Sequence, residues 1–346
     1  MSDQDPIVIV SAARTPMAGM QGDFAAVQAP QLGAGAIEAA LQRAGISGDD
    51  VDEVIMGNVL GAGQGQAPAR QASKGAGIPD AVGATTINKM CGSGMKATMF
   101  GHDLLVAGSA NVIVTGGMES MTNAPYLLPN ARGGMRLGHG DVKDSMFLDG
   151  LEDAYDKGLP MGVFAEQTAQ HYQFTREQQD AYAIESLTRA QKATADGSFA
   201  GEIAAFTVKE RKGERVVEID EQPGNANIDK IPSLRPAFAK DGTVTAANSS
   251  SISDGAAALV LMRQSEAEKR GLTPIAKIVG HATHAQEPAW FTTAPIGAVN
   301  TLFEKTGWDK ADVDLFEINE AFAVVTMAAM KEMGLPHDIV NIHGEA

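Results

Sequence analysis

The chain has 346 residues, of which 27 are Lys or Arg and 43 are Asp or Glu, giving a formal net charge of −16. That length exceeds one ordinary core and points to two or three domains. With 44% apolar and 20% charged residues, a disordered or low-complexity chain is excluded. The acidic balance argues against nucleic acid or an anionic membrane as the main partner, because binding either means neutralising phosphates with Lys and Arg.

The N-terminus, from Met1 to Pro16, runs from acidic residues into a short strand-like stretch, without a basic region leading into a long apolar one. No apolar run reaches the length of a bilayer span. A single cysteine, Cys91, excludes an internal disulfide and a multi-cysteine metal site and fits a reducing compartment. The reading is a soluble cytoplasmic protein. His281 and His284 lie close together without a visible third ligand, so no metal is expected.

Along the chain, β-branched runs at Ile7–Val10, Val54–Met56, Val112–Val114 and Ala257–Leu261 alternate with Ala-rich stretches of helical period. That alternation predicts an α/β fold with buried strands. Residues 35–52 align with 297–314, and six of the 18 aligned positions are identical, among them Gly45/Gly307 and Asp50/Asp312. Each copy reads as a helix, a Gly stop, an Asp-capped turn and entry into a buried strand. The fold is therefore expected to be duplicated. An N-terminal half of 1–121 and 244–271 would carry an insertion at 122–243, and a shorter C-terminal half would span 272–346.

Cys91 lies where a strand turns into a helix, in Asn88-Lys89-Met90-Cys91-Gly92-Ser93-Gly94. A thiol at a helix N-terminus meets the positive end of the macrodipole, which favours the nucleophilic thiolate. A lone cysteine is more often an inert small hydrophobe, but the strand–Cys–Gly-x-Gly–helix context favours a nucleophile. Gly92 to Ala97 also fits a loose dinucleotide-binding pattern. Against it, the next strand ends in Thr115-Gly116-Gly117, without the acidic residue that would hold a ribose.

Further motifs are Ser11-Ala12-Ala13-Arg14-Thr15-Pro16, Gly116-Gly117-Met118-Glu119-Ser120-Met121, Ser253-Asp254-Gly255-Ala256-Ala257 and Asn319-Glu320-Ala321-Phe322-Ala323. Together with the Cys91 segment, Leu234 to Phe238 and Gly242 to Ala246, they make the chain resemble the thiolase family, of the acetyl-CoA acetyltransferase type. The resemblance implies the thiolase fold: duplicated βαβαβ halves in a layered α/β/α/β/α arrangement, with a loop domain inserted at 122–243 for coenzyme A binding and oligomerisation. It implies Claisen condensation of two acetyl-CoA molecules, and the reverse thiolysis, through an acyl-thioester on Cys91. Asn319, which as a lone Asn could merely cap a helix but stands at the end of the second copy's buried strand, would hold a water at the enolate oxygen. Glu320 would support the family's catalytic histidine. Ser250 would bond the pantetheine, and Leu151, Met161, Phe238, Ile252, Ala321 and Phe322 would line its tunnel, for which ordinary core packing is the plain alternative.

Acyl-CoA and coenzyme A would be substrate and product, with no further cofactor, in a homo-oligomer, dimer or tetramer, of fatty-acid metabolism. Lys209, Arg211, Lys212 and Arg215 offer a cationic patch for the phosphates, with a solvated hairpin as the alternative. In the family a catalytic histidine and a second cysteine follow the Asn-Glu-Ala-Phe-Ala strand. Neither occurs before Ala346, and His343 matches a variable position, so impaired turnover is expected of the chain as written. Two rivals follow. Pro160-Met161-Gly162 suggests a longer-chain 3-ketoacyl-CoA thiolase of fatty-acid degradation, whereas the Glu287 to Pro295 stretch favours the acetoacetyl type. The absent histidine and cysteine suggest a catalytically dead acyl-CoA-binding protein.

Overall fold

The computed structural model describes residues 5–345. They divide into two compact units. The first takes the chain up to Leu151 with Glu202–Glu221 and Ile252–Val279; the second takes Glu152–Gly201, Gln222–Ser251 and the chain from Gly280 onward. The 122–243 stretch, expected as one insertion, contributes pieces to both.

The first unit is built on a seven-stranded mixed sheet. Its strands are β1 (Ile7–Arg14), β2 (Ala18–Gly19), β3 (Glu53–Gly57), β4 (Gly83–Ile87), β5 (Val112–Ser120), β10 (Ser253–Arg263) and β11 (Ala276–Lys277), in the order β11-β1-β10-β5-β3-β4 with β2 beside β10. β3 runs parallel to β4 and β5, with Val54 opposite both Ala84 and Val114. β10 is antiparallel to β1 and β5. Two small hairpins, β6 (Tyr126–Leu127) with β7 (Lys143–Asp144) and β8 (Phe206–Glu210) with β9 (Gly213–Val217), complete the strands.

Side-chain alternation decides what each sheet face carries. Val8, Val10, Val54, Met56, Val112, Val114, Val260 and Met262 pack with helices α1 (Ala29–Ala44) and α2 (Pro68–Gly75). Their neighbours in sequence, Ile7, Ile9, Ile113 and Leu261, pack with Leu104 and Leu105 of α3 (Ser93–Val106). Covered on both faces, the central strands read as near-continuous apolar runs. A short α7 (Gln264–Lys269) follows β10.

The second unit is mainly helical: α4 (Met161–Tyr172), α5 (Arg176–Asp196), α8 (Ala294–Thr306) and α9 (Ala323–Met333), with all but the first residue of the brief α6 (Glu221–Asn225). α8 and the turn after it repeat the path of α1. Gly45 ends α1 at φ 68° and Gly307 ends α8 at φ 72°, the left-handed conformation that glycine adopts without a Cβ penalty. A 3-10 turn follows in each case, closed by a capping box: Ser47 with Asp50, and Asp309 with Asp312. The backbone then enters an extended stretch. In the first unit this is β3 of the sheet. In the second, among the described residues, Phe316 forms one parallel bridge to Val340. Among the described residues, no helix is long and apolar enough to cross a membrane.

Candidate active site

Cys91 stands on the turn between β4 and α3, one residue before the helix cap Gly92. Three side-chain contacts fix that turn. The Asn88 side chain accepts from the Met90 N–H at 2.9 Å, the Ser93 hydroxyl accepts from the Lys89 N–H at 2.8 Å, and the same hydroxyl donates to the Met90 carbonyl. They hold Met90 at φ 49°, an uncommon value for a residue with a side chain. The turn also presses on the end of β3. A Cβ on Gly57 would lie 2.6 Å from the Ser93 Cβ and 2.8 Å from the Gly94 nitrogen, so glycine is required there by close approach.

The thiol is accessible to solvent and lines a cavity of about 340 Å³. Asn58, Val59 and Leu60 form one wall, and Met118, Glu119, Met121 and Leu151 are also among the lining residues. Of the residues expected in a binding tunnel, Leu151 is thus brought to the Cys91 cavity. Ile252 belongs to the same unit, immediately before β10, and is absent from that lining. The helix start does not lower the thiol's pKa as its position alone suggests. The protein packed around Cys91 pushes it up, and the charge of Glu119 adds to that, outweighing the backbone hydrogen bond at Cys91. Burial likewise pushes Glu119 up, with Asp254 contributing, against the backbone N–H groups of Val59 and Leu60 that stabilise its charge.

In the second unit, Asn319 is exposed at the end of the extended Phe316–Ile318 stretch. The Glu320 carboxylate is held by three donors: the Tyr182 hydroxyl, the Ser186 hydroxyl and the Asn341 amide, each at 2.7 Å. Tyr182 and Ser186 lie four residues apart on α5, so one face of that helix presents both. Burial and the Glu320 charge push the Tyr182 hydroxyl far above its ordinary pKa, leaving it a fixed donor. The Asn341 side chain also accepts from the Ile318 N–H and donates to the Ile318 carbonyl, each at 2.8 Å, taking the place of a neighbouring strand.

The Ser250 hydroxyl donates to the Glu320 carbonyl at 2.9 Å, and its N–H donates to the Ala321 carbonyl at 3.0 Å. Ser250 and Glu320 line a second cavity, of about 410 Å³, with Ser249, Ser251, Asn227 and Lys230. Met161, Phe238, Ala321 and Phe322 do come together, in an apolar cluster where the Phe238 and Phe322 rings meet edge to face at 6.1 Å. None of these four lines the Ser250 cavity.

The β8–β9 hairpin carrying the cationic patch packs its apolar face, Phe206, Val208 and Val217, into the α1 core. Arg215 is committed to Asp23 at 2.6 Å and Glu210 at 2.9 Å, and none of the four cations lines either cavity. Lys230 is the cation that one of these cavities contains. The sequence reading missed it, as it missed Tyr182, Ser186, Asn341 and the grip of Glu119 on Asn58–Leu60. Only the spacing of Tyr182 and Ser186 on a predicted helix carries a signal of its own.

Comparison with known proteins places this architecture. Residues 7–265 match the family described as thiolase, N-terminal domain, and residues 272–346 match thiolase, C-terminal domain. A protein of Schizosaccharomyces pombe named acetyl-CoA acetyltransferase is 48% identical over 340 residues, which is 98% of this chain and 86% of that protein. Acetyl-CoA acetyltransferase 2 of Arabidopsis thaliana is 48% identical over 98% of this chain and 85% of its own length. Among solved structures, the acetyl-CoA acetyltransferase of Bacillus anthracis superposes with a TM-score of 0.96 at 38% identity, covering 99% of this chain and 86% of that one. The Acat5 thiolase of Ascaris suum, solved in complex with coenzyme A, superposes at 0.93 with 40% identity, over 99% of this chain and 87% of that one. The thiolase fold expected from the sequence is the fold observed. With both family domains matched in order along a duplicated helix–turn–strand path, the chain belongs to the thiolase family.

Proposed function

We propose that this chain is an acetyl-CoA acetyltransferase that carries its acyl group on Cys91. The observation that carries the reading is the position of Cys91, accessible on a braced strand–turn–helix corner over its own cavity, in a chain whose relatives of that name are 44–48% identical to it. In the first half-reaction the Cys91 sulfur attacks the carbonyl carbon of an acyl-CoA thioester. A new carbon–sulfur bond forms, the bond to coenzyme A breaks, and the thiol proton leaves with the coenzyme A sulfur. In the second, the α-proton of an acetyl-CoA is removed and the resulting enolate attacks the thioester carbonyl; a carbon–carbon bond forms, the carbon–sulfur bond to Cys91 breaks, and the proton ends on the Cys91 sulfur. Asn319 would hold a water at the enolate oxygen, an oxyanion site built partly from solvent. Glu320, fixed by Tyr182, Ser186 and Asn341, would orient the family's histidine.

The Ser250 cavity suits coenzyme A. Hydroxyl and amide groups of Ser249 to Ser251 and Asn227 can bond the pantetheine amides, and Lys230 supplies the local cation that an acidic protein needs for a phosphate. The Met161, Phe238, Ala321 and Phe322 cluster would back that site; for Leu151 and Ile252 a place in the tunnel rests on the family resemblance alone. A homo-oligomer, dimer or tetramer, is part of this reading. Among the described residues β4 pairs only with β3, no residue of β4 is fully buried, and α3 exposes Met95 and Phe100. A cytoplasmic role in fatty-acid metabolism belongs to the same proposal.

Calorimetric titration with coenzyme A tests the binding half. Lys230→Gln and Ser250→Ala should each weaken binding about tenfold, near the worth of one charged or polar contact. Unchanged affinity in both would place the site elsewhere.

A further inference from the structure

Cys91 and Glu119 are the ionisable side chains among the residues lining the nucleophile's cavity, and no lysine or arginine is among them. Glu119 uses both oxygens on the Asn58–Leu60 segment. One accepts from the Val59 N–H at 2.8 Å; the other accepts from the Leu60 N–H at 3.1 Å and the Asn58 amide at 2.8 Å. Asn58 is 4% exposed and continues the β3–β4 pairing through its N–H to the Ile87 carbonyl, and the Asn88 side chain of the Cys91 turn donates to the Val59 carbonyl at 3.4 Å. The wall gripped by Glu119 and the turn carrying Cys91 are therefore one connected piece.

Other titratable residues stand on the elements around the cavity without lining it, among them Glu53 on β3, His102 and Asp103 on α3 and Arg263 on β10. The turn has Lys89; α3 has Lys96, whose ammonium lies over the Phe100 ring at 4.6 Å. The π-helical turn Phe147–Leu151 has Asp149, and β10 has Asp254, fully buried beside Ser120. Asp254 accepts from the Thr122 N–H on one oxygen, while its other oxygen has no partner among the described residues.

We propose that Glu119 is a positioning residue for the nucleophile: it clamps the Asn58–Leu60 wall of the Cys91 cavity and sets a carboxylate in the lining of that cavity, where it adds to burial in opposing the thiolate. A cysteine that rests as thiol is protected from stray oxidation and alkylation. The functional meaning rests on the reading of Cys91 as nucleophile, but the test addresses the thiol itself and needs no turnover.

The experiment is the rate of Cys91 alkylation by iodoacetamide as a function of pH, in the full chain and in Glu119→Gln. The isosteric variant should shift the inflection downward by about half a pH unit or more, roughly a threefold rise in labelling at fixed pH below it. An unshifted inflection, or slower labelling, in a folded variant overturns the proposal. A second measurement uses the unmodified chain and decides the matter should the variant fail to fold. As Glu119 takes up a proton, the amide resonances of Val59 and Leu60 should titrate together, with one inflection above the ordinary glutamate value; amides that do not titrate together overturn the clamp. Failure of acyl transfer to Cys91 would leave both readouts intact and sink only the proposed function.

Discussion

The two copies of the helix–glycine–turn–strand path start from similar residues and end in different structures. In the first unit, α1 buries nine of its residues, and β3 sits between two parallel neighbours with Val54, Ile55, Met56 and Gly57 buried. In the second, among the described residues, no residue of α8 is fully buried, and the stretch at Phe316–Ile318 has one bridge together with the bonds of an asparagine side chain. The local signals are equal: both helices stop at a left-handed glycine and both turns close with a capping box. What differs is the set of neighbours. Caps and turns are decided within a few residues, whereas a strand becomes part of a sheet only when flanking strands take up its N–H and C=O groups.

If that account holds, equivalent substitutions should differ between copies wherever packing is involved. Ile37 in α1 is fully buried, and Val299, its counterpart in α8, is only partly buried against the cluster that contains Phe316, Ile318 and Ala329. Ile37→Ala should cost about 4 kcal/mol in urea unfolding and Val299→Ala about 1 kcal/mol. Equal costs would break the contrast.

A pH dependence sharpens it next. Burial, with the charge of Glu320, pushes Glu345 from 4.5 up to about 8. The unfolded chain ionises this group near 4.5 and the folded chain holds its proton until about 8, so the stability it contributes is whole below the first value and falls as pH rises through the second. Hydrogen exchange of α5 and α9 should report a second unit that loosens between pH 5 and pH 8, by about 3 kcal/mol, and Glu345→Gln should flatten the profile. A second unit that tightens over this range would contradict the assignment.

A smaller effect concerns the side chain that stands in for a strand. Asn341→Ala removes both bonds to Ile318 and one to Glu320 and should cost about 2 kcal/mol, read as lost protection of the Ile318 amide. The smallest effect is also the control. Ser47→Ala and Asp309→Ala each remove one capping box and should each cost about 1 kcal/mol. Near-equal losses would show that the local code works alike in both copies; a large inequality would mean that tertiary context governs even the caps.

The sequence made legible what short-range rules decide. The apolar alternation of β1, β3, β5 and β10, the Gly45 and Gly307 stops and the turn at Cys91 all follow from residues close in the chain. So does the family resemblance, whose motifs are contiguous. What escaped depends on long-range partners. Glu119 stands in a quoted motif, yet its grip on Val59 and Leu60 spans some sixty residues. Arg215 reads as a free cation until Asp23 and Glu210 are seen beside it. The expectation of a lowered Cys91 pKa weighed the helix dipole, which acts locally. It omitted the surrounding protein and the Glu119 charge, which act in the opposite sense.

The central claim is that Cys91 is the acyl acceptor. The direct measurement is mass-spectrometric peptide mapping after brief exposure to acetoacetyl-CoA or acetyl-CoA and acid quench. The account predicts one acetyl group, on the peptide containing Cys91, formed in step with release of coenzyme A from acetyl-CoA or of acetyl-CoA from acetoacetyl-CoA, and absent in Cys91→Ala. An unmodified Cys91 after product has been released, or an acetyl group carried on another residue, would contradict it.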